Sequence, residues 1–282
     1  MKSILTIFFA ALSFFCFSQL NNGLELYYQL DGNAKDSTGN GSDGAITGNL
    51  LSATDRFGNI GCASKVEGYI TIPYANYAAL SNLSTKSNFA FSFWYKGGSA
   101  APGDLESIFE RDNNPNLDPT IFIGLYDLNK PVYRWRDSGS SLNYNFTSVV
   151  GYSDQVWHHL VVNVQTYGQW KIFLDNKSVA SGTDNFYPYC TDGCTYIIGK
   201  TFDDYIDDFR FYSRTLSVNE VSQLYSLPSS CGTSTELKFI EPSAKTIVRM
   251  INIFGEQILD FENYDGLAIV FYSDGSFNKW HK

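Results

Sequence analysis

Val156-Trp157-His158-His159-Leu160-Val161-Val162-Asn163-Val164, followed closely by Trp170-Lys171-Ile172-Phe173-Leu174-Asp175-Asn176-Lys177, decides the fold class. In the first run Val156, His158, Leu160, Val162 and Val164 alternate with Trp157, His159, Val161 and Asn163. Both faces are therefore mainly apolar, as in a strand at the centre of a sheet. Trp170, Ile172 and Leu174 line one face of the next strand, and Asp175-Asn176-Lys177 supplies a hairpin turn.

The same period of two extends outward on both sides. Leu24, Leu26, Tyr28 and Leu30 share a face, as do Val66, Ile70 and Ile72. Phe89, Phe91, Phe93 and Tyr95 form a third set, with Trp94 on the opposite side, and Ile121, Ile123 and Leu125 a fourth. Short alternating runs separated by Gly, Asn, Asp and Ser clusters predict an all-β domain, a sandwich of two antiparallel sheets. One helix is expected after the sandwich, because Ser217 and Glu220 make a capping box and Val218, Val221, Leu224 and Tyr225 recur at helical spacing. Leu227-Pro228-Ser229-Ser230 stops it. Strands over 247–253 and 267–272, with a turn at Ser273-Asp274-Gly275-Ser276 into 277–282, predict a small carboxy-terminal β unit. The expected organisation is a leader at 1–18, the sandwich at 19–227, a linker at 228–240 and the β unit at 241–282.

Lys2, the apolar run from Ile4 to Phe17, and small Cys16 and Ser18 before Gln19 read as a secretory signal peptide cleaved before Gln19. The run is too short to span a bilayer, and no later stretch has the length, so no membrane span is expected. Phe15 stands where a lipoprotein needs a small residue before its cysteine. A net charge of −9 argues against the basic surface that nucleic acid requires.

Cys62, Cys190, Cys194 and Cys231 remain after cleavage, an even count that favours disulfides, with three pairings open. The Asp-Gly turn in Tyr-Cys-Thr-Asp-Gly-Cys favours Cys190 with Cys194, which leaves Cys62 for Cys231. Two cysteines four apart, with no second pair or histidine near, make a poor zinc set.

Five stretches, in order, resemble the laminin-G-like, concanavalin A-like domains of bacterial secreted proteins. They are Leu26-Tyr27-Tyr28-Gln29-Leu30-Asp31-Gly32-Asn33-Ala34-Lys35-Asp36-Ser37-Thr38-Gly39-Asn40-Gly41, Asn88-Phe89-Ala90-Phe91-Ser92-Phe93-Trp94, Val156 to Val162 and Trp170 to Lys177 of the runs quoted at the outset, and Ile206-Asp207-Asp208-Phe209-Arg210-Phe211-Tyr212-Ser213-Arg214-Thr215-Leu216-Ser217. The resemblance implies a jelly roll but no particular ligand, since the fold hosts lectins, adhesion modules and some glycosidases. In the tail, 245–256 and 270–276 resemble the carboxy-terminal sorting domain of the Bacteroidetes type IX secretion system, which implies export machinery as a partner. The segment 260–265 departs from that pattern.

Asp31, Asn33 and Asp36 offer oxygen ligands in a Gly-containing loop, which suits calcium, although the spacing is not that of an EF-hand. Asp207 has the parity of Phe209 and Phe211 and so is expected to point inward, where a carboxylate needs a partner. The resemblance implies a structural calcium held by Asp31, Asn33, Asp36 and Asp207. The other reading gives Asx-turns to the loop and an arginine such as Arg210 to Asp207.

Catalysis is not expected. Asp104, Glu106 and Glu110 share a parity, but the family 16-type glycosidase signature of spaced carboxylates is missing. His158 and His159 point to opposite sides of one strand. No nucleophile elbow, phosphate loop or His-Glu-x-x-His occurs. Binding is the remaining class, to an extracellular glycan or a surface protein. Tyr133 and Trp135, with Arg134 beside them, and Tyr187 and Tyr189 are the candidate contact residues, because aromatic faces with polar rims suit sugars.

Overall fold

The computed structural model describes residues 19–73, 88–98, 102–112, 120–136, 142–146, 155–165, 169–183, 194–229, 231, 247–252, 257–258, 266–272 and 277–281. The expected leader, Tyr187, Tyr189 and Cys190 lie outside the described residues. The chain divides into two compact units, Met1–Gly232 and Thr233–Lys282.

The strands of the first unit are β1 (Leu24–Tyr28), β2 (Ala45–Thr54), β3 (Ile60–Ile72), β4 (Phe89–Lys96), β5 (Leu105–Asp112), β6 (Ile121–Tyr126), β7 (Lys130–Arg136), β8 (Leu142–Phe146), β9 (His158–Val164), β10 (Gln169–Leu174), β11 (Lys177–Thr183), β12 (Thr195–Ile198) and β13 (Tyr205–Tyr212). They pair antiparallel in the order β11-β10-β9-β4-β13-β3-β12-β5-β6-β7-β8, with β1 on β13 and β2 on β3. As the two-face alternation requires, β9 is buried along its whole length between β10 and β4.

Two layers arise because one hydrogen-bonded path curls over. β3 is the corner: Ser64 and Lys65 pair with β13, whereas Ile70, Thr71 and Ile72 pair with β12. Gly68 of β3 has φ +145° and faces Gly48 of β2, and a Cβ at Gly68 would run into the Thr47 carbonyl, so only glycine allows the two backbones to approach here. Beyond the corner the layers meet face to face. Phe91 of β4 lies 4.2 Å from Phe109 of β5 and 4.9 Å from Phe211, and Phe93 stacks on Phe209 at 5.7 Å. Burying each such ring contributes about 1.5–3 kcal/mol.

The helix α1 (Val218–Ser226) is capped as its sequence dictates: Ser217 accepts from the Glu220 amide, and Glu220 accepts from the Ser217 amide. It covers the outer face of the first layer, where Val221 and Leu224 form a second apolar cluster with Ala90, Val161, Phe173 and Tyr212. Cys62 and Cys231 form a disulfide that ties β3 to the chain beyond α1. Cys194 is disulfide-bonded as well.

The second unit holds β14 (Ile247–Asn252), β15 (Leu267–Tyr272) and β16 (Phe277–His281) in one antiparallel sheet, with Met250, Ile258, Ala268 and Val270 buried together.

Candidate functional site

Several sequence-level candidates take other roles. Tyr133 and Trp135 are 1% and 5% exposed and sit in the main core, because their partners across β6 are Ile123 and Ile121. Arg134 is 2% exposed, and its guanidinium lies over the Phe122 ring at 5.0 Å. The alternation placed the aromatics together, but their face is the inner one. None of the three offers a stacking surface.

Asp207 also departs from its expected side. β13 has an irregularity between Asp207 and Arg210, with Asp208 in the left-handed region at φ +54°. The extra residue resets the parity, so Asp207 pairs with Trp94 on the outer face while Phe209 stays inside. Arg56 reaches it from the β2–β3 turn, with Nη1 2.9 Å from Asp207 and 3.0 Å from Asp208. Arg210 Nη2 lies 3.0 Å from Asp208, and its guanidinium stacks over Tyr27 at 3.9 Å.

In the opening loop Asn33 Nδ2 donates to Asp31 at 2.7 Å, the Lys35 amide donates to Asn33 Oδ1 at 3.0 Å, and the Asp36 carboxylate accepts from the amide and hydroxyl of Thr38. These are Asx-turn bonds. Among the described residues no group of three or more His, Cys, Asp or Glu side chains is arranged to hold a metal ion. A guanidinium bridging Asp207 and Asp208 repels a dication at the same place. The implied calcium set does not fit.

The charge cluster instead supports a platform. Asp55 accepts from the amides of Phe57 and Asn59, both at 2.8 Å, and so builds the turn that projects Arg56 and Phe57. Arg56 Nη2 donates to the Leu227 carbonyl at 3.1 Å, tying that turn to the end of α1. The Arg56 guanidinium then lies 4.7 Å from the Phe57 ring and 4.5 Å from Trp94, and Trp94 stacks on Tyr225 of α1 at 5.4 Å and 22°. His159 packs on Trp94 at 5.0 Å, with Nε2 2.9 Å from Ser92 Oγ. Phe57 and Tyr225 stay 55% and 38% exposed. Lys96 Nζ rests over Tyr205 at 4.2 Å and Trp157 at 5.6 Å. A groove of about 560 Å³ is lined by Thr54 to Phe57, Trp94, Lys96, Gln155 to Trp157 and Tyr225.

Burial, and then Arg210 and Arg56, push the His159 imidazole down to about 3, so it is neutral at physiological pH. Burial and the neighbouring Asp208 push Asp207 up to about 8. Burial works against ionised Asp208 too, but Arg210 and Arg56 outweigh it and hold that carboxyl below its usual value. The asymmetry is physical: Asp208 touches both guanidiniums, Asp207 only one.

Of the carboxylates considered for catalysis, Glu106 pairs with Leu125 and Glu110 with Phe122. Those partners are an odd number of residues apart on β6, so the two carboxylates lie on opposite faces. The irregularity between Ser107 and Phe109 causes this. Glu110 is ion-paired to Lys200 at 2.6 Å.

Sequence reasoning missed the groove because its residues come from a turn, two strands and a helix. The one hint was Trp94 on the polar side of an otherwise inward-facing aromatic strand.

No curated protein matches the chain. Among solved structures, domain 4 of a GH43 extracellular arabinanase from Geobacillus stearothermophilus, in complex with arabinotriose, is 22% identical, with a TM-score of 0.57 over 72% of this chain and 98% of that one. The binding domain of Paraclostridial Mosquitocidal Protein 1 is 16% identical, with a TM-score of 0.59 over 92% of this chain and 64% of that one. A botulinum neurotoxin type C structure, whose cell entry depends on interaction with two ganglioside molecules, is 16% identical, with a TM-score of 0.55 over 74% and 52%. At these identities the likeness is one of fold. The family model described as concanavalin A-like lectin/glucanases superfamily matches residues 66–222, more than half of the chain, and the chain belongs to that family.

Proposed function

We propose that the protein is an exported, non-catalytic binding module whose ligand is a glycan, taken in the groove bordered by Phe57, Trp157 and Tyr225. The observation that carries this reading is the stack Phe57, Arg56, Trp94, Tyr225, in which buried Trp94 and Arg56 hold the exposed rings of Phe57 and Tyr225 in place before any ligand arrives. Such pre-organisation spares the ligand the cost of ordering side chains, and aromatic faces bordered by amides and charges suit the apolar faces and hydroxyl edges of sugars. Beneath the groove Arg56 is held by Asp207 and Asp208, and at its rim Lys96 rests over Tyr205 and Trp157, where an ammonium can donate to sugar hydroxyls.

The separation of Glu106 and Glu110 onto opposite faces supports a role without glycoside hydrolysis, which needs two carboxyls across one bond. The leader-like start, the bound arabinotriose of the arabinanase domain and the ganglioside dependence of the neurotoxin support an extracellular glycan partner. No helix among the described residues is long and apolar enough to cross a membrane.

The test is affinity electrophoresis and calorimetry of the purified chain on neutral plant and algal polysaccharides, with Trp157→Ala and Tyr225→Ala alongside. Each substitution should weaken retention by about tenfold or more, since a stacking aromatic contributes roughly 1–3 kcal/mol. Retention unchanged in both variants would remove the groove from the proposal. A wild-type chain that binds no polysaccharide would turn attention to a protein ligand.

A further inference from the structure

A second groove lies at the other end of α1, on the outer face of the first layer, and its chemistry differs from the first. It encloses about 460 Å³ and is walled by Gln165 of the chain after β9, Gln169 and Lys171 of β10, Ser181 and Thr183 of β11, and the segment Thr215 to Val218. The pairing explains the assembly: Gln169 faces Thr183, and Lys171 faces both Ser181 and Asn163, so their side chains rise from one face. Between them Trp170 turns the other way, against the main core, and Gly182 opposite it leaves room for the indole.

Two properties point to a ligand. The first is unused hydrogen-bonding capacity. Among the described residues the side chains of Gln165, Gln169, Ser181 and Thr183 make no hydrogen bond within the protein. The second is charge. The chain carries 29 acidic against 20 basic residues, yet none of the described residues that line this groove is Asp or Glu. Among the described residues Lys171 has no carboxylate partner, and its ammonium sits 5.3 Å from the Phe173 ring centroid. The nearest acidic group of α1, Glu220, is already neutralised by Arg214 Nη1 at 3.0 Å and closes the helix cap. An ammonium among free amides and hydroxyls, with no carboxylate among the described lining residues, matches a ligand that carries its own carboxylate amid hydroxyl groups.

We propose that this groove is a second binding site, for a uronic acid unit of an acidic oligosaccharide, with Lys171 meeting the carboxylate and Gln165, Gln169, Ser181 and Thr183 meeting the hydroxyls. The site is separate from the aromatic groove, so each can stand without the other.

Calorimetry of the full chain with trigalacturonate and with a neutral trisaccharide, at low and high sodium chloride, tests it. Trigalacturonate should bind in preference to the neutral sugar, and salt should weaken it. Lys171→Gln, which leaves the aliphatic stem over Phe173, should weaken trigalacturonate binding about tenfold and abolish its salt dependence. Gln169→Ala should weaken it without touching the salt dependence, and Trp157→Ala should leave it unchanged. Equal melting temperatures would show that the variants remain folded. No preference for trigalacturonate in the wild type, or undiminished binding in a folded Lys171→Gln protein, would overturn the proposal. Loss of trigalacturonate binding in Trp157→Ala would place the acidic sugar in the other groove and overturn it equally.

Discussion

Replacing Arg56 by Met tests both the buried charge cluster and the platform it supports. Arg56 bridges Asp207 and Asp208 within 3.0 Å, holds the Leu227 carbonyl and fills the space between Phe57 and Trp94. Its side chain and both carboxylates are almost wholly buried. Breaking such a pair from one side leaves an uncompensated charge and costs about 3–5 kcal/mol. For a unit of this size each kcal/mol lowers the melting temperature by roughly 2–4 °C, which gives a drop of about 6–20 °C.

The loss should depend on pH. Asp207 titrates at about 8 in the folded protein against 3.8 for the free side chain, so between those values the folded state holds the extra proton and stability falls as pH rises. Without Arg56 the Asp207 carboxyl keeps its proton more firmly, so the substitution should cost less near pH 5, where a proton already neutralises the group, than near pH 8. Thermal unfolding followed by circular dichroism at the two pH values measures this. Asp207→Asn in the Arg56→Met background should recover part of the loss at the higher pH, because it removes the stranded charge. A loss below about 1 kcal/mol, as for an exposed ion pair, or one equal at both pH values, would refute the reasoning.

Two further outcomes follow from the packing. Reducing the disulfide, or replacing Cys62 and Cys231 by Ser, releases a loop of 169 residues and should destabilise the first unit by up to about 5 kcal/mol, read as a lower denaturant midpoint. Trp135→Ala should cost about 3–5 kcal/mol of stability, because the indole is core, while leaving glycan affinity per folded molecule unchanged. A stable variant with lost binding would return Trp135 to the ligand face.

The layers of this protein were legible in the alternation of its residues. Alternation in 156–164 required a strand buried on both faces, and that strand is the central β9. Ser217 and Glu220 required a capped helix start, because a hydroxyl and a carboxylate at that spacing satisfy backbone amides that would otherwise be orphaned. Local chemistry settles such features, so they can be read locally.

Which face each side chain serves, and hence where the sites lie, was settled by strand pairing. Irregularities at Asp208 and between Ser107 and Phe109 each shift the parity by one residue, which turned Asp207 outward and separated Glu106 from Glu110. An alternation pattern cannot reveal them, since both registers read the same in the chain until a partner strand fixes one. Tyr133 and Trp135 show the same limit: their common face was legible, but its direction was set by Ile123 and Ile121 across the sheet. Arg56, Trp94, Trp157 and Tyr225 lie far apart in sequence and meet because α1 crosses the outer face of the first layer and leaves a groove at each end.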